Sequence, residues 1–304
     1  MADLSVNIGG VRFENPIWLA SGTCGSGEEL EEYTDLGKVG AIVTKTVTLS
    51  AREGNPPPRV IETASGLLNS IGLENQGAGW FRANKYPTLK KRKAKIVISF
   101  SAVEPGELSK CASVLTDGKF PDAFELNLSC PNVAHGGGKG FLVAQDKSAV
   151  KKAVKEVKKA TKRPVIVKLS PNVTDIGEIA KAAEGSGADA VAVVNTYQGI
   201  AVDAEKMAPY FARVVGGLSG PAIKPLALKA VRDVFRAVKI PVVGIGGIMR
   251  GEDVAEFMLC GASAVEVGTA TLRDPSIHGT ILLEFIEYLK RHKIKRACDI
   301  TGKI

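Results

Sequence analysis

The stretch ELNLSCPNVAHGGGKG, residues 125–140, puts a cysteine where chemistry is plausible. Cys130 follows Asn127 by three residues and precedes Pro131, and Gly136, Gly137, Gly138 and Gly140 come next. Proline fixes the direction of the chain and glycines free it to move, a composition suited to a lid with a thiol at its base. A thiolate so placed serves as a general base or nucleophile. The competing reading is a small buried apolar side chain. Cys111 and Cys260 lie in helical patterns and fit that second reading, while Cys24, in SGTCGSG, fits either. His135, beside the lid, either tunes the thiol or is an exposed loop histidine.

A second group consists of polar residues at the ends of apolar runs: Lys45, Asn127, Lys168, Asn195 and Thr196, together with Asn69 in LLNSIGL. A buried lysine is costly unless it meets an anion or an electron-rich ring. Asparagine both donates and accepts, which suits an amide-rich planar heterocycle; singly, each is equally at home capping a turn. A third group is glycines: Gly246-Gly247 in VVGIGGIMRGEDV, Gly268-Thr269 in VEVGTA, and Gly216, Gly217 and Gly220 in GGLSGPAIKP. Glycine opens backbone N–H groups to an anion, though any one of these can simply make a tight turn. GxxxxGK[ST] is absent and no G-x-G-x-x-G opens a helix after a first strand, so neither a P-loop nor a Rossmann site is expected.

These residues need a scaffold that gathers strand ends. Eight short apolar runs are predicted as strands: 17–20, 41–45, 95–99, 123–127, 165–169, 190–195, 242–246 and 264–268. Helix-like stretches follow every one, most clearly at 146–160, 174–184, 224–237, 251–259 and 276–291. The expected fold is a (β/α)8 barrel of parallel strands, with a doubly wound open sheet as the alternative. LSVNIGGVRFENP alternates around Gly9-Gly10 and predicts a hairpin ahead of the barrel. Residues 46–76 and 196–220 are long connections at strand C-terminal ends, where barrels carry their active sites and the loops after the seventh and eighth strands bind phosphate. No composition shift marks a linker, so 1–304 is expected to be one domain.

Composition narrows the function further. The chain has 304 residues, 45% hydrophobic, and 40 Lys and Arg against 32 Asp and Glu give a net charge of +8. That balance favours anionic ligands. Much of the charge sits in KSAVKKAVKEVKKATKR (147–163), whose apolar positions Ala149, Val150, Ala153, Val154, Val157 and Ala160 form one helical stripe with lysines opposite. No aromatic residues interleave, so nucleic acid is not expected. Five scattered cysteines without a CxxC pair suit neither a disulfide framework nor an iron–sulfur site, and no histidine and carboxylate cluster predicts a metal. With no membrane-spanning run and no signal pattern, a soluble cytoplasmic protein is expected.

Five motifs carry a resemblance: NLSCPNVAHGG, GGLSGPAIKPLALK, ASGLLNSIGLENQG, KLSPNVTDI and GIGGI…GASAVEVGTA. Taken together in their order along the chain, from about residue 4 to residue 275, they resemble class 1 dihydroorotate dehydrogenases. HGG after CPNV and SGPAIKP resemble the NAD-linked subtype (class 1B), specifically its FMN-bearing catalytic subunit. The resemblance implies that Ser21, Lys45, Thr46, Asn127, Lys168, Val194, Gly220, Gly246, Gly247, Gly268 and Thr269 contact FMN. It assigns substrate binding to Lys45, Asn69, Ser70, Ile71, Gly72, Leu73, Asn127, Asn132, Asn195 and Thr196, and makes Cys130 the catalytic base. Cys130 would take the C5 proton of dihydroorotate while FMN takes the C6 hydride, and Lys168 would stabilise negative charge on the reduced ring. One departure is Ser99, where the family usually has Asn; a hydroxyl replaces one amide hydrogen bond to the flavin, not two.

The resemblance further implies a homodimer, and a heterotetramer with a subunit carrying FAD and a two-iron two-sulfur cluster that passes electrons to NAD. A flavin enzyme acting on dihydrouracil, which lacks the carboxylate of dihydroorotate, is the near alternative. A flavin-free isomerase barrel and a non-catalytic basic binding protein are more distant ones; the last leaves Cys130 without a role.

Overall fold

The computed structural model describes residues 2–102, 106–128 and 143–304. Its centre is a closed barrel of eight parallel strands: Ile17–Leu19, Ala41–Val43, Lys95–Phe100, Ala123–Asn127, Val165–Lys168, Ala190–Val193, Val242–Ile245 and Ala264–Val267. Each pairs in parallel with its neighbours in sequence, and the eighth closes on the first with Val265 opposite Ile17. These are the eight predicted runs, the fourth unchanged and the others trimmed or extended by one or two residues at an end.

Strand side chains alternate between two faces. One set, including Ile17, Leu19, Ile42, Phe124, Leu126, Val165 and Val167, packs outward against the helices. The other, including Trp18, Ala41, Val43, Val97, Ala123, Ile166, Ala190, Ala192, Val243 and Ala264, fills the interior. Two large rings, Trp18 and Phe13, occupy that space at a centroid separation of 4.3 Å, and the alanines around them supply the complementary small volume. Phe13 comes from the N-terminal hairpin, Val6–Ile8 paired antiparallel with Val11–Phe13. At its turn Gly9 has φ +59°, and a Cβ there would lie 3.0 Å from Pro164 and Asp189 side-chain atoms, just ahead of the fifth and sixth strands. The hairpin therefore plugs the N-terminal end of the barrel.

Helices Ala78–Leu89, Glu107–Leu115, Lys147–Ala160, Ile176–Glu184, Lys224–Ala237, Gly251–Leu259 and Ile277–Arg291 form the outer layer. Lys147–Ala160 buries Val150, Ala153, Val154 and Val157 and exposes most of its lysines, as its stripe predicts; the Asp146 carboxylate caps it by accepting from Ala149 N at 2.6 Å. One helix-like expectation is corrected. Between the first and second strands lie only the single turns Glu28–Leu30 and Leu36–Lys38. Gly22, Gly25 and Gly27 take φ values of +91°, +52° and +89° there, a left-handed backbone that a continuous helix excludes.

The packed lower barrel makes a direct prediction. Phe13→Ala removes a wholly buried ring and should cost about 3–5 kcal/mol. The midpoint of chemical denaturation should fall clearly, whereas Val11→Ala, at a partly exposed position of the same hairpin, should move it little.

Candidate active site

Counting by twos from the apolar interior leads to a polar upper end. Ala41 and Val43 lead to Lys45, Val97 to Ser99, Ala123 to Glu125 and Asn127, Ile166 to Lys168, and Ala264 to Glu266. The same parity that packs the lower barrel thus presents Lys45, Asn127 and Lys168 at the C-terminal ends of the strands, around one cleft. That cleft encloses about 1220 Å³ between protein atoms, its open mouth included.

The two long connections are not plain loops. Residues 46–76 supply Val60–Thr63 and Gly66–Asn69, residues 196–220 supply Tyr197–Ile200 and Val215–Ser219, and the four strands form one antiparallel sheet. Gly66–Asn69 and Val215–Ser219 join the two connections, with Asn69 opposite Gly217. The sheet contributes Val60, Leu67, Asn69 and Ser219 to the cleft wall. Glycine is required where it crosses the barrel: a Cβ on Gly217 would lie 2.1 Å from Thr196 Oγ1.

Lys168 forms part of the floor. It is 5% exposed, and its Nζ lies 3.5 Å from Glu125 Oε2 and 3.4 Å from Glu266 Oε2. Burial by itself favours loss of its proton, but the two carboxylates outweigh burial and hold its pKa above the ordinary 10.5. Burial, followed by the charge of Glu125, pushes the Glu266 carboxyl well above 4.5 despite the pull of Lys168. Sequence reasoning identified Lys168 but missed both glutamates. Their signal was available: each stands at an inward position of a strand buried on both faces.

Beside this floor Thr46 is a hub. Its Oγ1 accepts from Asn127 Nδ2 at 3.1 Å and lies 3.2 Å from Ser21 Oγ and 2.9 Å from Ser99 Oγ. Ser21, Thr46 and Asn127 line the cleft; Ser99 is fully buried behind Thr46 and does not. The predicted segment 69–73 also divides. Asn69, Ile71, Gly72 and Leu73 line the cleft, whereas Ser70 is buried and accepts from Asn55 Nδ2 at its carbonyl (3.1 Å) and its hydroxyl (3.0 Å). Gly72 and Leu73 are both left-handed, with φ +79° and +59°, and turn the segment toward the cleft. Asn195 and Thr196 line the cleft with Val194; Asn195 Oδ1 accepts from Thr196 N at 2.7 Å, and Thr196 O accepts from Asn172 Nδ2 at 3.1 Å.

The glycines converge at the far end. Gly220, Gly246 and Gly247 have φ +95°, +125° and +79°. A Cβ on Gly220 would lie 2.8 Å from Gly66 Cα, and one on Gly247 2.9 Å from Lys224 N, so the backbones approach closely only because no side chain intervenes. Gly268 leads into the short helix Thr269–Arg273, and Thr269 Oγ1 donates to Ser219 Oγ at 2.8 Å. Such a cradle of backbone at element starts suits a phosphate. Lys224 is directed elsewhere, onto Asp253 at 2.7 Å and Glu256 at 2.8 Å.

A sequence model of the family "Dihydroorotate dehydrogenase" matches residues 3–289. The chain belongs to the dihydroorotate dehydrogenase family. It is 46% identical over 304 residues to "Dihydroorotate dehydrogenase B (NAD(+)), catalytic subunit" of Bacteroides fragilis, covering 100% of this chain and 99% of that one. Proteins of the same name from Bacteroides thetaiotaomicron and Geobacter sulfurreducens are each 47% identical, covering 100% and 99% of this chain and 99% and 98% of their own.

In this dihydroorotate dehydrogenase family member the cleft's described lining includes Lys45 and Lys168 and no Asp or Glu, which favours an anionic occupant. Cys130, Asn132 and His135 lie outside the described residues. Cys24 is buried, with its S–H directed at Ala20 O and Val43 O, and burial pushes its pKa up. Cys111 and Cys260 are buried and Cys298 is exposed. Among the described residues no group of three His, Cys, Asp or Glu is placed to hold a metal, and no helix is long and apolar enough to cross a membrane.

Replacing Lys168 exposes the charge balance of the floor. Lys168→Met leaves two buried carboxyls without their cation and should cost about 3–5 kcal/mol. Burial already holds the Glu266 carboxyl above its ordinary range, and removing the Lys168 cation takes away the one pull that lowers it, so the folded variant holds more protons than the unfolded one at pH above 4.5 and its stability falls as pH rises. Chemical denaturation should show a larger deficit against the parent chain at pH 8 than at pH 5.

Proposed function

We propose that this chain oxidises dihydroorotate to orotate in pyrimidine biosynthesis, as the FMN-containing catalytic subunit of an enzyme whose final acceptor is NAD. The observation that carries the reading is a cleft with two lysines and no described carboxylate in its lining, in a chain collinear with relatives that bear this name. Residues 1–304 then act as one FMN-binding barrel domain. The donor set fits a flavin: Lys168, Thr46, Ser21 and Asn127 offer donors and acceptors to a flat amide-rich ring, and the Gly220, Gly246, Gly247, Gly268 and Thr269 cradle accepts a phosphate. Val194 adds an apolar contact, and Ser99 acts through Thr46.

Lys45, with Asn69 and the 71–73 turn, binds the anionic substrate, with Asn127, Asn132, Asn195 and Thr196 completing its hydrogen bonds. Lys45 supplies the charge that distinguishes dihydroorotate from dihydrouracil. The chemistry that bound FMN would supply is that of a hydride acceptor for C6. Cys130, as thiolate, forms the new S–H bond with the C5 proton while the C5–H bonding pair goes into the new C5–C6 double bond. Lys168, held charged by its two carboxylates, keeps a positive charge at the floor, where negative charge then collects. A partner subunit with FAD and a two-iron two-sulfur cluster would supply the electron path to NAD, and the assembly is a heterotetramer built on a homodimer of this chain in the cytoplasm.

Anaerobic addition of dihydroorotate to the purified yellow protein should bleach the flavin absorbance rapidly. A yellow protein that dihydroorotate leaves unbleached and dihydrouracil bleaches would reassign the substrate. Cys130→Ser should retain FMN yet slow the bleaching by about 100-fold or more, because a serine hydroxyl is a far poorer base at neutral pH. Near-normal reduction by that variant would remove Cys130 from the role of base.

A further inference from the structure

The floor of the cleft holds one more carboxylate than it needs. A single counterion suffices to neutralise Lys168, yet Glu125 and Glu266 both lie within 3.5 Å of its Nζ. All three groups are buried, at 5%, 0% and 1% exposure respectively, inside a low-dielectric barrel. Burying two carboxylates against one ammonium in such a place disfavours full ionisation, and burial followed by the charge of Glu125 pushes the Glu266 carboxyl well above its ordinary range. Among the described residues neither buried oxygen of Glu125 makes a hydrogen bond of normal geometry, although its Oε2 lies 3.5 Å from Lys168 Nζ. Among the described residues the Cys24 thiol also faces this set, and burial keeps it neutral, while Lys45 lines the cleft above.

We propose that Glu125 and Glu266 are a pair of positioning residues that hold one shared proton, so that the Lys168–Glu125–Glu266 triad carries no net charge while fixing a charged ammonium at the cleft floor. The triad supplies a localised positive point to whatever ring rests on Lys168 without adding net charge to the interior. The consequence for a flavin rests on the function proposed above; the proton count does not.

Charge bookkeeping gives an unusual pattern. Glu125→Gln leaves Lys168 with ionised Glu266, and Glu266→Gln leaves it with ionised Glu125, so each single variant remains neutral. In the double variant Lys168 is uncompensated.

Infrared difference spectra of parent against variant, with and without FMN, should show one buried carboxylic acid band in the parent that vanishes in both single variants. With FMN bound, the flavin midpoint potential should barely move in either single variant and should rise in the double variant, favouring reduced over oxidised flavin by roughly tenfold or more at a fixed potential. Absence of the carboxylic acid band, or a rise in potential with each single variant, would mean that both carboxylates are ionised and would overturn the proposal. A potential that stays put in the double variant would overturn it as well. A chain that binds no FMN would refute the cofactor assignment instead, and the infrared measurement would still decide the shared proton.

Discussion

A closed barrel of parallel strands allows an inward side chain only two fates. It packs in the interior, or it reaches the open C-terminal end. This constraint explains why one strand, Ala123–Asn127, runs from alanine through glutamate to asparagine along the same face. At the lower end Trp18 and Phe13 take up the space between small neighbours, and the hairpin seals it. Higher up, where water and ligand can enter, the inward positions become polar. No separate device is needed to gather Lys45, Asn127 and Lys168 around one cleft; closure of the barrel does it.

The buried ion triad is where this constraint becomes expensive. A lysine in the interior loses its hydration, and only the two carboxylates return it to the charged state. Those carboxylates are themselves held inward by the parity of the fourth and eighth strands. A substitution in either strand that shifted register by one residue would turn glutamate toward the helices and leave the ammonium unpaired. Charge at the floor and packing of the core are for that reason one problem.

The wall of the cleft follows a different logic. Each of the connections 46–76 and 196–220 pairs its own backbone as a hairpin, and the two hairpins then join along Gly66–Asn69 and Val215–Ser219, which satisfies the edge groups that each would otherwise leave open. Their glycines, Gly66, Gly216 and Gly217, let two backbones and a barrel rim approach where side chains would collide. Asn55 and Asn75 then hold the turns: Asn55 grips Ser70, and Asn75 Oδ1 accepts from Thr48 N and Gly77 N.

The sequence by itself determined the eight strands, most of the helices, the hairpin, and the strand-end lysines, asparagines and glycines. These features are legible because they are local: a period of two or 3.6, a turn residue, a polar residue closing an apolar run. Tertiary structure alone decided the rest. The first connection has no helix because glycines at three places hold left-handed conformations that packing selects. Ser70 and Ser99 stand behind the cleft and not on it, since which side of a turn or strand faces the opening depends on what covers the other side. Lys168 has two carboxylate partners from strands that lie 43 and 98 residues away in the chain at Glu125 and Glu266, and only barrel closure, which joins the eighth strand to the first, brings all three to one point.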